Sequence, residues 1–289
     1  MVSVTSFIRN MPASSLQAYF HHTGIELPTE VDWEAPEPEV ARVTLRAVDE
    51  LDDEARARIV NDAERVSALA DDAGQTALYS VIDDRTVLDD LANGHARSLW
   101  MFLNEPVRFR HAEEVRYTDE RRRGRSWDGF IGEPNLDLRR DEASIDAFKT
   151  ALRDRFASNN IHIDIFGRYR PTFDGEDCEL VQIAIYREGL LDDFLAFDDA
   201  GTLVRRARRP VFEAAMTYEP APASSKSSPT TARAARRWFA SWRATCWGSS
   251  SRAKRCPSAP TTSRFCFILS IFRPTRRMGS SPSRSSSCV

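Results

Sequence analysis

The sequence predicts an α+β protein: a helical N-terminal half packed on a C-terminal antiparallel β-meander, with an irregular or disordered basic tail. Three observations predict it. Apolar residues recur at helical spacing through most of the first 156 residues; apolar and polar residues alternate over residues 161–166 and 180–186; and every carboxylate lies at or before Glu219. Helices followed by strands give separate layers rather than a mixed parallel sheet. The expected organisation is a mostly helical region over 1–126, an α+β region over 127–220 and an Arg/Ser-rich tail over 221–289.

From the N-terminus, Pro12 opens a short helix carrying Leu16, Tyr19 and Phe20, which stops before Gly24. Pro28, Pro36 and Pro38 mark an extended connector, whose Trp33 is expected to pack onto the body. A second helix over residues 39–50 presents Val40, Val43, Ala47 and Val48. The third starts at Asp52 or Asp53, places Ile59, Ala63, Val66 and Ala70 on one face, and is expected to end at Gly74. Shorter helices follow over 75–81 and 86–91. Residues 96–103 form a core helix, because Leu99, Trp100, Phe102 and Leu103 are apolar nearly all round.

Pro106 closes that helix, and residues 109–123 read as helical with Val115 and Tyr117 near the middle. Trp127 to Ile131 reads as a short strand. Asp141 then caps a helix over 142–156 that sets Ile145, Phe148, Leu152 and Phe156 on one face. This is the helix expected to lie across the meander.

In the meander, Ile161, Ile163 and Ile165 share one face because side chains of an extended chain alternate, and His162, Asp164 and Phe166 take the other. The partner strand repeats the pattern with Val181, Ile183 and Ile185 opposite Gln182 and Tyr186. Pro171, Asp174 and Gly175 supply turn chemistry between them. A third run over 193–197 turns through Asp198, Asp199, Ala200 and Gly201 into Leu203 and Val204. Pro210 cannot donate to a ladder, so it sits at a bulge, an edge or a strand start before residues 211–218.

Charge divides the chain sharply. Residues 1–220 carry 27 bases against 43 acids, a net of −16, whereas residues 221–289 carry 13 bases and no acid. The tail also holds Cys246, Cys256, Cys266 and Cys288, four of the five cysteines. Such a tail is either a basic arm for a polyanion or a stretch read out of frame. We read it as the product of a frameshift near residues 221–223 or as a disordered segment. A TCN serine codon read one base early becomes NTC, encoding only Val, Ile, Leu or Phe, so a serine-rich tail conceals an apolar one. On this reading the strand ending at Tyr218 has lost its partner and leaves an open edge.

Function is less legible. His162 and Asp164 lie two apart on one strand face, and with Glu179 they form the candidate catalytic set of a metal-dependent hydrolase or nuclease. A solvated or helix-covered polar sheet face explains the same residues without chemistry. Two arginine clusters, Arg121, Arg122, Arg123 and Arg125, and Arg205, Arg206, Arg208 and Arg209, suit a polyanion, since guanidinium forks match phosphate. Pairing with the protein's own acids, such as Asp119, Glu120, Asp192 and Asp193, is the favoured explanation, and a body at −16 repels nucleic acid at long range.

The remaining histidines and Cys178 fit no metal spacing, and no phosphate-binding glycine motif occurs, so neither metal nor cofactor is expected. The longest apolar run, residues 265–272, is far shorter than the roughly 20 residues of a spanning helix. The start of the chain lacks the basic and apolar pattern of a secretory signal. The leading expectation is a non-catalytic cytoplasmic accessory protein with an unidentified protein partner. Nucleic acid is a less favoured partner, and a membrane is not expected.

Overall fold

The computed structural model describes residues 4–122, 127–131, 138–171, 177–218, 254–255 and 267–271. These form two compact units. The first comprises Met1–Glu120 and Gly167–Asp177, the second Arg121–Phe166 and Cys178–Val289. The class is α+β, with helices in the N-terminal half and antiparallel sheets in the C-terminal part.

The first unit begins with α1 (Val4–Asn10), an element the sequence pattern did not suggest. Its Phe7 and Ile8 are fully buried, so packing rather than periodicity holds this short turn of helix. Next come α2 (Ala13–Thr23), α3 (Glu37–Asp49) and α4 (Asp53–Ala68). Gly24 ends α2 at φ 65°, a left-handed cap that only glycine adopts cheaply, and its N–H donates to the Phe20 carbonyl. Trp33 packs beside Phe20, the ring centres 6.2 Å apart, as expected of the connector. In α4 the stripe Ile59, Ala63 and Val66 is fully buried.

Gly74 does not end α4. The helix stops at Ala68, and Gly74 lies inside α5 (Asp72–Val81), where the Asp71 carboxylate accepts from its N–H at 2.8 Å. A Cβ on Gly74 would stand 2.3 Å from the Leu69 Cα, so glycine is there for the tight crossing between consecutive helices. A glycine after an apolar stripe reads as a stop signal, and here close approach of backbone is the competing cause.

Then follow α6 (Thr86–Asp89), α7 (Gly94–Asn104) and α8 (Pro106–Arg122). Asn93 caps α7 by accepting from the Ala96 N–H at 2.9 Å, and Leu99 and Met101 are buried. Pro106 begins α8, a first-turn position where its missing N–H costs nothing. The Gly167–Asp177 segment joins this unit through Arg168, whose guanidinium makes two bonds of 2.8 Å to the Asp119 carboxylate on α8. Arg168 is 1% exposed. Arg85 holds Asp177 at 2.8 Å.

His95, half-buried on α7, gives this unit a pH dependence. Burial lowers its pKa below the ordinary value because the charged imidazolium is disfavoured there. The folded chain therefore leaves His95 neutral where the unfolded chain already binds a proton. Stability is full above the unfolded pKa, near 6.5, and falls as pH drops through it toward the folded value. Asp71 and Asp83, held below the usual carboxylate range first by hydrogen bonds from Arg116 and Arg108, lose their contribution only in a more acidic window. The expected result is that melting temperature falls between about pH 7 and about pH 5, and falls less in His95→Gln. Parallel pH curves for the two proteins would overturn this.

The second unit contains β1 (Trp127–Ile131), α9 (Glu142–Phe156), most of β2 (Ile161–Pro171) and of β3 (Asp177–Glu188), then β4 (Asp192–Phe197), β5 (Leu203–Arg208) and β6 (Val211–Tyr218). Residues 254–255 and 267–271 add β7 (Lys254–Arg255) and β8 (Phe267–Ile271). The main sheet has the order β2-β3-β6-β8-β1-β7, with β3/β6, β6/β8, β8/β1 and β1/β7 antiparallel. In β3/β6, Val181 stands opposite Tyr218 and Ile185 opposite Ala214.

The Tyr218 edge expected to be open is thus paired. Residues 267–271, apolar and rich in β-formers, lie along β6 with Tyr218 opposite Phe267. The order also departs from a strictly sequential meander, because β4 and β5 leave the main sheet and form a ribbon of their own. Pro210 falls between β5 and β6, at a strand start as expected.

The core of this unit matches the alternation read from the sequence. Phe148 and Leu152 of α9 pack with Val181, Ile183, Ile185, Ala214 and Met216, and Ile161, Ile163, Ile165 and Phe156 lie against this cluster. Asp141 caps α9 by accepting from the Ser144 N–H at 2.9 Å. Ala157 closes the helix at φ 47°, a left-handed conformation that costs a residue with a Cβ about 1 kcal/mol or more.

Candidate functional site

Two features of the second unit carry functional chemistry: a polar cleft at the end of α9, and the β4–β5 ribbon. The cleft encloses about 390 Å³ and is lined by Arg153, Asn159, Asn160, Ile161, His162, Tyr186, Arg187, Glu188, Arg209 and Val211. Its wall starts where Ala157 turns the chain out of α9. Ser158 then donates to the Glu188 carbonyl at 2.7 Å, and the Glu188 N–H donates to the Asn160 carbonyl at 2.9 Å. The Asn160 amide donates to the Glu188 carboxylate at 3.0 Å. These bonds fix residues 158–160 against the end of β3.

Arg187 follows Val181, Ile183 and Ile185 by the period of two, so it continues the apolar face of β3. Its guanidinium lies 4.9 Å from the Phe156 ring centre and 4.3 Å from that of Phe212. Aromatic faces attract cations through their quadrupole, which positions this one firmly. Burial lowers the Arg187 pKa, because the site disfavours charge. Among the described residues no carboxylate forms an ion pair with it.

Arg209 reaches Glu188 at 3.8 Å and donates to the Gly189 carbonyl at 3.4 Å. Arg153 donates to the Asn159 carbonyl at 3.3 Å. The cleft is thus lined by three arginines and one carboxylate, Glu188. With three arginines against one glutamate, the lining is cationic within a body that carries −16 over residues 1–220. Arrangements of this kind concentrate anions locally.

The candidate catalytic residues are only partly brought together. His162 lines the cleft beside Tyr186, with ring centres 5.9 Å apart, as alternation across two neighbouring strands suggested. Asp164 is half-buried and does not line the cleft. Glu179 is exposed, seven positions before Tyr186 on β3, so it stands about 23 Å along the strand from His162 at the usual rise per residue. His162 and Glu179 cannot act on one atom at that separation. No group of three or more His, Cys, Asp or Glu side chains suited to a metal ion occurs among the described residues.

Of the first arginine cluster, Arg121 and Arg122 end α8, while Arg123 and Arg125 lie outside the described residues. Asp119 and Glu120, offered as their partners, are bonded to Arg168 and Arg116. The second cluster is split. Arg209 belongs to the cleft, and Arg205, Arg206 and Arg208 lie exposed on β5. Asp192 stands opposite Arg208 and Asp193 opposite Ala207, yet neither carboxylate pairs with these arginines; Arg208 instead lies 4.9 Å from the Phe194 ring centre.

The ribbon is built by the Asp198–Gly201 turn. The Asp198 carboxylate accepts from the N–H groups of Ala200 and Thr202, and Gly201 takes φ 75°. Opposite positions Leu195 and Arg205, and Phe197 and Leu203, place three large apolar side chains on one face. Leu195 is 58% exposed, Phe197 69% and Leu203 54%. Leu190 and Leu191, at its base, are also exposed.

Arg153, Arg187, Asn159, Asn160 and Glu188 were not singled out in the sequence. A signal did exist for Arg187: it extends an apolar strand face, opposite a helix stripe ending in Phe156. Comparison with known protein families, curated proteins and solved structures finds no match to this chain. Among the described residues no helix is long and apolar enough to cross a membrane.

Proposed function

We propose that this is a non-catalytic cytoplasmic accessory protein that works by contacting a protein partner through the β4–β5 ribbon. The observation that carries the reading is the ribbon face on which Leu195, Phe197 and Leu203 are each more than half exposed. A two-stranded ribbon alone in water is marginal, and one that turns its apolar side chains outward forgoes the burial that would stabilise it. Exposed apolar clusters of this kind mark interaction surfaces. Arg205, on the same face opposite Leu195 and without a carboxylate partner among the described residues, favours an acidic residue on the partner.

Substituting serine at Leu195, Phe197 and Leu203 together tests it. Because these side chains are exposed, the expected change in melting temperature is small, each site costing within about 0.5 kcal/mol. A stoichiometric partner identified with the unmodified protein is expected to be lost, since truncating interface anchors typically costs more than about 1 kcal/mol each. Retention of that partner at unchanged affinity would refute the proposal. An activity abolished by His162→Ala at unchanged melting temperature would replace it with the hydrolase alternative.

A further inference from the structure

We infer that the cleft at the end of α9 is a binding site for a small phosphomonoester, with Arg187 as its anchor and Arg153 and Arg209 as its clamp. This inference stands apart from the ribbon and needs no partner protein.

Arg187 is the reason to expect an anion. A half-buried guanidinium held between Phe156 and Phe212, with no carboxylate to neutralise it among the described residues, is a costly arrangement for packing alone. The two rings leave its planar edge of N–H donors as the polar part to be satisfied, and Arg187 lines the cleft.

The charge balance selects the class of anion. Arg153, Arg187 and Arg209 against Glu188 leave the cleft short of about two negative charges, which suits a phosphate monoester near neutral pH better than a monocarboxylate. The Arg209 contact to Glu188, at 3.8 Å, is long and leaves guanidinium donors free to turn toward a ligand.

Size and rigidity agree with this. About 390 Å³ accommodates a sugar phosphate and lies at the small end of ligand pockets. The wall at Asn160 is fixed by its two bonds to Glu188, so the site is largely formed before a ligand arrives. Holding Ala157 in a left-handed conformation to build that wall is strain located at the cleft.

The test is calorimetric titration of the full chain with ribose 5-phosphate, and with ribose and inorganic phosphate as controls. The ester is expected to bind, ribose is not, and affinity should fall as salt rises. Arg153→Gln and Arg209→Gln, both at exposed or half-exposed positions, are each expected to weaken binding roughly five- to tenfold at unchanged melting temperature. Arg187→Lys keeps a charge but loses the fork, and is expected to weaken binding by roughly tenfold or more. No binding at about 10 mM ester, or equal affinity in all three variants, would overturn the assignment. So would inorganic phosphate binding as tightly as the ester, or a DNA oligonucleotide without terminal phosphate competing through the same arginines.

Discussion

Asp119→Ala is expected to lower the melting temperature by about 6–12 °C, the larger of the effects located in the first unit. Arg168 is 1% exposed, and Asp119 accepts two 2.8 Å bonds from it. Removing the acid leaves a buried guanidinium without its counter-charge, a loss of about 3–5 kcal/mol in fully buried pairs. Asp119 itself is about a third exposed, so water reaches the vacated position and the low end of that range applies.

Arg168→Met is expected to cost far less. The Arg168 Nε is buried without a hydrogen-bond partner, so the native arginine already carries a desolvation penalty that methionine avoids. The acid left behind can turn to solvent. The double variant should therefore be as stable as Arg168→Met alone, well above Asp119→Ala, and thermal unfolding of the four proteins measures this coupling directly. Losses that add in the double variant would show that the pair is not the source of the effect.

Phe148→Ala is expected to be comparably severe in the second unit, with a loss of about 3–5 kcal/mol. Phe148 is 1% exposed and packs with Leu152, Val181, Ile183 and Ile185. A cavity in that position has strand residues on one side and the helix that supplies it on the other, so little can collapse into it. Phe148→Leu keeps most of the volume and should lose less than about 1.5 kcal/mol. Denaturant midpoints at unchanged slope provide the measurement. A loss under about 1 kcal/mol for the alanine variant would mean that the helix does not lean on the sheet as described.

Much of this architecture was legible because one face of each element is buried and the other is not. The stripe Ile145, Phe148, Leu152 and Phe156, capped by Asp141, gave α9 to the residue. The alternation of isoleucines gave the inward faces of β2 and β3. Where both faces are buried the pattern fades. Leu180, Gln182 and Ala184 are as enclosed as Val181 and Ile183, so the polar face expected around Gln182 is not a solvated one. The second half of β2 was hidden for another reason: burial does alternate there, with Phe166 and Arg168 inside and Gly167 and Tyr169 outside, but an arginine reads as exposed until Asp119 is placed beside it.

The candidate site was legible only in fragments. His162, Tyr186 and Arg209 were visible individually, but their convergence depends on residues 158–160 returning to the end of β3, a tertiary fact. Asp192 and Asp193 were expected to neutralise the arginines of β5, and the ribbon register offers only one of them a facing arginine, without an ion pair. Spacing along a strand specifies which face a charge occupies and not which neighbour it meets.

One consequence of the Arg168–Asp119 bond concerns synthesis. The carboxylate leaves the ribosome 49 residues before the guanidinium that neutralises it. At about 5–20 residues per second, the nascent helical unit spends several seconds without its closing segment. A gene product that stops between the two would carry every helix of that unit and still lack the clasp that completes it.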